Sequence, residues 1–270
     1  MNALCQMTGL SRASFYRWRM PRCATPVEME IRDQIQRIAL ECPVYGYRRI
    51  TKELHRRGLE VNRKRVLRMM REDNLLCIRR RAFVVTTDSR HNLPIYPNLA
   101  SEIRPAAINQ LWIADITYIR LRTEFVYLAV VLDAFSRRVI GWELGRTLEA
   151  QLTTTALRMA LHERKPAPGL VHHSDRGVQY ASHDYTDMLK QHQATISMSR
   201  RGNPYDNAAC ESFMKTLKYE EVYRNEYRDF ADLHASIRDF LESVYNHKRL
   251  HSALDYLPPA EFEQNGGSGQ

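Results

Sequence analysis

Three acidic residues stand out by position: Asp115, Asp175 and Glu211. Asp115 interrupts an otherwise apolar, strand-like run, Trp112-Ile113-Ala114-Asp115-Ile116. A carboxylate in such a place is costly to bury unless something compensates it. Asp175 follows the short stretch Leu170-Val171-His172-His173 and directly precedes Arg176-Gly177. It therefore sits at the carboxyl end of a strand, where sites in α/β sheets gather. Glu211 falls about a turn and a half into a helix whose cap is expected at Asp206. Each acid alone has a plainer use, Asp175 as a turn or cap residue and Glu211 as a solvated helical residue. Together, two strand-associated aspartates and one helical glutamate can converge on one edge of a sheet. Their hard oxygen donors suit Mg²⁺, with Mn²⁺ as a substitute. Two such ions about 3.5–4 Å apart would activate an attacking oxygen and stabilise the leaving one in phosphoryl transfer. Water or a nucleic-acid 3′-hydroxyl could then attack in line without a side-chain nucleophile. The protein's task would be positioning and charge neutralisation.

Basic residues flank these acids. Lys215 and Lys218 lie at i+4 and i+7 from Glu211, on the same helical face, where they could hold phosphates. The alternative for Lys215 is a simple Glu–Lys helix pair worth about 0.3–0.5 kcal/mol. Arg200 and Arg201 precede a Gly-Asn-Pro loop near Glu211 and are further candidates for DNA contact. Asp133, at the end of Leu132-Asp133-Ala134-Phe135-Ser136, reads better as the cap of a turn than as a fourth ligand. His173 adjoins Asp175 but is expected to point to the opposite side of an extended strand and to belong to the core or to the support of the site. Asn207 is a candidate support for the site loop, and Trp112 a core residue.

The elements that must position the acids form a recognisable order. Strands are expected at 111–121, 125–132 and 137–144, joined by short turns into an antiparallel meander. A helix over 147–162, capped by Thr147, comes next. It is followed by a buried strand at 169–173, a helix at 182–193, a brief strand at 194–197 and the helix bearing Glu211. The sequence β-β-β-α-β-α-β-α is the plan of an RNase H-like α/β domain, here assigned to residues 106–225. A C-terminal helical extension (226–263) and a disordered tail (264–270) complete the chain.

The front of the chain differs in charge. Residues 1–90 hold 20 Lys and Arg against 9 Asp and Glu, a net of +11, whereas the remainder holds 20 against 22, a net of −2. A basic block beside a near-neutral one suggests a nucleic-acid-binding region joined to a working domain. Residues 1–24 read as a partial helix-turn-helix and 25–81 as a small all-α domain. In the latter, helices over 28–39, 47–57 and 62–72 include a strongly basic last one. Arg63, Lys64 and Arg68 on that helix, with Arg48 and Arg49 before it, are candidate DNA contacts. Residues 82–105, with Pro94, Pro97 and Pro105, read as a linker. The five cysteines show no CxxC pair, which argues against a disulfide framework or a Cys-rich zinc site. No apolar run is long enough for a membrane span and no secretion signal is evident, so the cytoplasm is the expected compartment.

These motifs resemble the DDE transposases of bacterial insertion sequences, in particular the integrase-like second-frame product (OrfB) of the insertion sequence 3 family, relatives of retroviral integrases. The resemblance is carried by Leu111–Tyr118, by His173-Ser174-Asp175-Arg176-Gly177 and by Gly202–Ala208 running into Glu211-Ser212-Phe213, with 35 residues between Asp175 and Glu211. Val44–Ile50, Tyr245–Ser252 and Leu257-Pro258-Pro259 extend it over almost the whole chain. It implies that Asp115, Asp175 and Glu211 are a metal-binding catalytic triad. It implies cleavage at element ends, joining of the freed 3′-hydroxyls to target DNA, homo-oligomers assembled on DNA and a nucleoid-associated location. It further implies a first-frame OrfA-type partner, or a fusion to it, supplying the main helix-turn-helix. A DNA-binding regulator without chemistry and an RNase H-type nuclease are the alternatives.

Overall fold

A computed structural model describes residue 11 and residues 25–75, 94–122, 124–200 and 208–266. The helix-turn-helix expected within 1–24 lies outside these residues, apart from Ser11. The chain divides into two compact units, 1–81 and 82–270.

The first unit contains three helices, α1 (Pro26–Glu41), α2 (Tyr47–Arg56) and α3 (Arg63–Glu72). Thr25 caps α1 by accepting from the Glu28 amide, and Asn62 caps α3 by accepting from Lys64. Each helix is amphipathic, so Ile31, Ile35 and Ile38 of α1 join Ile50, Leu54, Val66, Met69 and Met70 among the buried residues. Gly58 follows α2 with φ +81°, the left-handed conformation that lets the chain leave the helix and turn. Arg32 lies among acids, with Glu28 on its own helix and Glu72 and Asp73 at the end of α3.

The second unit is a five-stranded sheet of order β3-β2-β1-β4-β5. β1 (Leu111–Arg120), β2 (Phe125–Asp133) and β3 (Val139–Gly145) form the antiparallel meander. β4 (Val171–Ser174) and β5 (Thr195–Met198) extend it in parallel after helical crossovers. α4 (Ala150–Arg164) begins at Glu149 rather than at Thr147, and its first turn has no side-chain cap. The helix expected over 182–193 is α6 (His183–Gln191), and a short helix, α5 (Val178–Ala181), precedes it. α7 (Ala208–Leu217) carries Glu211 and passes into a π-helical turn, Lys218–Val222. α8 (Phe230–Asp239) likewise passes into a π-helical turn, Phe240–Tyr245, and α9 (Pro259–Gln264) follows.

Strand alternation sends side chains to two cores. Leu111, Ile113, Ile119 and Leu121 pack with Cys210, Phe213 and Leu217 of α7 and with Leu233, Ile237 and Leu241 of the α8 region. Trp112 and Ala114 pack on the other face with α4, α5 and α6. α4 crosses β3 closely: a Cβ on Gly141 would lie 2.2 Å from the Ala156 carbonyl oxygen. Among the described residues no helix is long and apolar enough to cross a membrane.

Asn246 takes a strand-like role at the edge of the sheet. Its buried amide accepts from the Val139 amide at 3.0 Å and donates to the Val139 carbonyl at 2.9 Å. Its own carbonyl accepts from Ala260 at 2.9 Å, which ties α9 to the same place. Asn246→Ala strands both Val139 groups and should cost about 2–4 kcal/mol, as expected when two buried backbone groups lose their partners. Urea denaturation reads this loss, and an unchanged midpoint would contradict the assigned role.

Candidate active site

Pairing decides where Asp115 and Asp175 meet. β4 pairs with β1 only at Val171–Leu111, His172–Trp112 and His173–Ile113. Asp115 and Asp175 each lie two residues beyond the last of these pairs. β1 continues beyond that point with β2 on one side, so its other edge opens where β4 ends. Asp115 lies on the face that α7 covers, since Ile113 packs with Cys210 and Phe213. The Cys210 thiol is 3.7 Å from the Ile113 carbonyl, which brings the first turn of α7, and Glu211 with it, to the same edge.

The electrostatics agree with this placement. Burial first, and then the charges of Asp175 and Glu211, push the Asp115 carboxyl up to about 7. The Ile116 amide and Lys218 act in the opposite direction. Lys218 is half-buried; burial lowers its pKa, and the charge of Asp115 raises it. Both aspartates are turned onto backbone donors: Asp115 Oδ1 accepts from Ile116 at 2.9 Å, and Asp175 Oδ1 accepts from Gly177 at 2.8 Å. The turn is tight, since a Cβ on Gly177 would lie 3.0 Å from Asp175 Oδ1. Glu211 is exposed. Among the described residues no three His, Cys, Asp or Glu side chains close into a ready metal cage. The donor set nevertheless fits a hard divalent cation. It is made of carboxylates alone, and the partly buried member is held protonated to near-neutral pH for want of positive charge.

The surroundings are rigid. Arg176 donates to the Ser199 carbonyl at 2.8 Å and ties the Asp175 turn to the end of β5. His173 is fully buried, as its place in the strand suggested. The Ser197 hydroxyl accepts from the Leu99 amide at 2.9 Å and shares a hydrogen bond of 2.8 Å with His173 Nδ1. His172 pairs with the Tyr185 hydroxyl at 3.0 Å, and burial, followed by His173, depresses it to about 3, so it is neutral. Asp133 caps its turn by accepting from Asn109, Phe135 and Ser136, and Trp112 is buried in the core.

Sequence reasoning missed Tyr180. Its hydroxyl is buried without a hydrogen-bond partner among the described residues, and the charges of Asp115 and Asp175 help push its pKa well above 10 after burial and Tyr185. Its only sequence signal is its place five residues after Asp175. The basic candidates fall into different settings. Lys215 and Arg200 are exposed, whereas Lys218 lies 4.7 Å from the Tyr118 ring centre. Arg201 and Asn207 lie outside the described residues. In the first unit Arg48, Arg63 and Lys64 are exposed, and the Arg49 guanidinium lies 5.5 Å from the Tyr45 ring centre. Arg68 pairs with Glu28 at 3.2 Å and approaches Glu72 at 3.7 Å.

Comparison with known proteins bears on this edge. A family profile described as "Integrase core domain" matches residues 105–204, and a second of the same description matches 192–259. An "HTH-like domain" profile matches 26–83. The chain is 38% identical to the insertion element IS600 uncharacterized 31 kDa protein of Shigella sonnei, covering 97% of both chains. It is 39% identical to the transposase for insertion sequence element IS904 of Lactococcus lactis, over 82% of this chain and 87% of that one. It is 35% identical to transposase InsF for insertion sequence IS3A of Escherichia coli, over 97% and 93%. Among solved structures, the HTLV-2 integrase catalytic core domain in complex with magnesium aligns with 58% of this chain and 98% of its own, at 16% identity and a TM-score of 0.47.

The raised Asp115 value sets a pH dependence. Folded Asp115 keeps a proton that the unfolded chain has released, so stability falls as pH rises from the ordinary carboxyl range through about 7. In chelator at pH 8, Asp115→Asn should therefore melt at a higher temperature than the parent protein. The difference should shrink toward pH 4. Melting curves across that range check it, and a lower melting temperature for the variant at pH 8 would contradict it.

Proposed function

Because the chain belongs to the IS3 family of insertion-sequence transposases, we propose that DNA cleavage and strand transfer take place at the open edge of β1, with Asp115, Asp175 and Glu211 as the catalytic acids. What supports this reading is that Asp175 and Glu211 both act on the Asp115 carboxyl, beside the point where β4 ends. A divalent cation bound by these carboxylates would supply the positive charge that the reacting phosphate needs. Mg²⁺ is the expected ion, two per site, with Mn²⁺ able to replace it. The protein's own part is to hold the acids on rigid elements. Asp115 is fixed within a strand, Asp175 by the Gly177 amide and Glu211 on α7. Lys218 and Lys215 on the same helical face, with Arg200 and Arg201 nearby in sequence, are suited to holding DNA phosphates.

The basic HTH-like region adds non-specific affinity through Arg63, Lys64, Arg48 and Arg49. Arg68 is less available, given its acidic partners. A first-frame OrfA-type protein, or fusion to it, would supply recognition of the terminal repeats. Homo-oligomers would form on the DNA, in the nucleoid. The proposed division is a partial helix-turn-helix at 1–24, a helical DNA-binding domain at 25–81, a linker at 82–105, a catalytic core at 106–225, a helical extension at 226–263 and a tail at 264–270.

Protein incubated with its element's ends and Mg²⁺, with and without the first-frame partner, should yield cut ends and then joined products. Asp115→Asn, Asp175→Asn and Glu211→Gln should each lower cleavage by about 10²–10³-fold or more, the scale set by loss of a charge-stabilising group. Full activity in any of them would remove that residue from the role. Cutting without joining would favour a nuclease.

DNA affinity should fall linearly on a log–log plot against salt, with a slope of about 0.9 per phosphate neutralised. Filter binding over a salt series measures this, and a flat response would rule out the proposed role of the basic front.

A further inference from the structure

Beyond Asp115, the edge of β1 carries a group of rings that phosphoryl transfer does not use. Tyr118 and Phe125 meet edge to face with centroids 5.7 Å apart, and Tyr219 and Tyr223 do the same at 5.6 Å. Tyr118 and Tyr219 both raise the pKa of Tyr223, second to burial, so the two pairs are neighbours. Cations sit on the rings. Lys218 Nζ is 4.7 Å from the Tyr118 ring centre, and the Arg120 guanidinium is 5.9 Å from that of Phe125. Phe125 is 49% exposed and Tyr223 53%. Clustered large rings left in water mark a contact surface.

The backbone is arranged to present this cluster. The helix of Glu211 widens into the π-helical turn Lys218–Val222, a rare geometry that recurs at functional sites. Within that turn the acids are engaged by groups of the same unit. Glu220 binds Arg249 at 2.7 and 2.8 Å, and Glu221 accepts from the Tyr227 and Ser236 hydroxyls. Near the hairpin, Glu124 is matched by Arg146 and Glu226 by Arg122. The carboxylates that would repel a phosphate are thus paired, while Lys218 and the rings share one surface.

We propose that Tyr118, Phe125, Tyr219 and Tyr223 form a stacking ledge for an unpaired DNA base beside the reaction centre, with Lys218 and Arg120 holding the adjoining phosphates. This rests on the reading of Asp115 as a reaction-centre acid. Tyr118 lies three residues along β1 from Asp115, and Lys218 Nζ is 4.7 Å from its ring centre, so a strand with its phosphate at the acids would have its next base within reach of the ledge. Stacking on aromatic rings accepts any base, because every base has a π face. The ledge would therefore hold a frayed or overhanging nucleotide without reading its identity.

The test uses the full chain in chelator, where no cleavage occurs. Two probes are compared: a blunt duplex, and the same duplex with a short unpaired overhang carrying the fluorescent base 2-aminopurine. The parent protein should bind the overhang probe more tightly and quench its fluorescence. Tyr223→Ala should weaken overhang binding about 5- to 10-fold, the scale of one lost stacking contact, and relieve the quenching, while blunt-duplex binding stays as in the parent. Tyr223→Trp should restore quenching, and Phe125→Ala should repeat the loss. Both positions are half-exposed, and melting temperature confirms that each variant is folded. No quenching by the parent protein, or quenching that survives in both alanine variants, overturns the ledge. Cleavage of element ends by the parent protein in Mg²⁺ is scored separately, so failure of the ledge and failure of the strand-transfer reading give different results.

Discussion

Asp115 sits in an interior strand with an apolar layer on each face, where an ionised carboxylate is poorly solvated, and two more acids are set against it. Lys218 opposes that grouping from one side, itself half-buried and depressed by its surroundings. The arrangement disfavours the ionised form of Asp115 in the folded chain. The other parts of the second unit serve to hold this grouping together. The β1–β4 register sets the spacing of the aspartates, the Gly177 turn orients one of them, and the buried His173–Ser197 contact stiffens the strands beneath.

Glu211 depends on residues far along the chain. Phe213, two residues later, packs edge to face against Tyr245 with centroids 5.0 Å apart, and Tyr245 meets His251 at 4.8 Å. Arg249 reaches back to Glu220 and to the Thr216 hydroxyl. The motif from Tyr245 to His251 therefore grips α7 and its π-helical turn from outside the sheet, while Asn246 within the same motif completes the edge of β3. A buried ion pair such as Arg249–Glu220 is weak evidence for stability, because desolvation offsets the attraction. Its value here is geometric: it fixes the angle at which the glutamate helix leaves the core.

Much of this was legible in the residues. β1 and β2 follow from unbroken apolar and β-branched runs, and the strand order follows from the alternation of patterns. Asp115 was legible because a charge within an apolar strand breaks a local rule, whereas Asp175 and Glu211 stood out only together with it, through their spacing. Thr147 failed as a cap because the chain stays extended through Glu149, which gives α4 a start without a side-chain cap. The two π-helical turns left no trace in apolar periodicity, since a single widened turn shifts the phase by one residue only. Tyr180 and the rings around Tyr118 were invisible for a different reason. Their significance comes from neighbours far away in sequence, and no spacing rule encodes that.

The lateness of the clamp has a biosynthetic meaning. A polypeptide released before Asn246 would contain all three acids, yet it would expose the backbone of β3 at an unpaired edge and leave α7 without its outer support. Exposed edges invite association with other strands. Such a truncated chain would thus be prone to aggregation, so the sheet's outer strand is protected only once synthesis has passed Asn246.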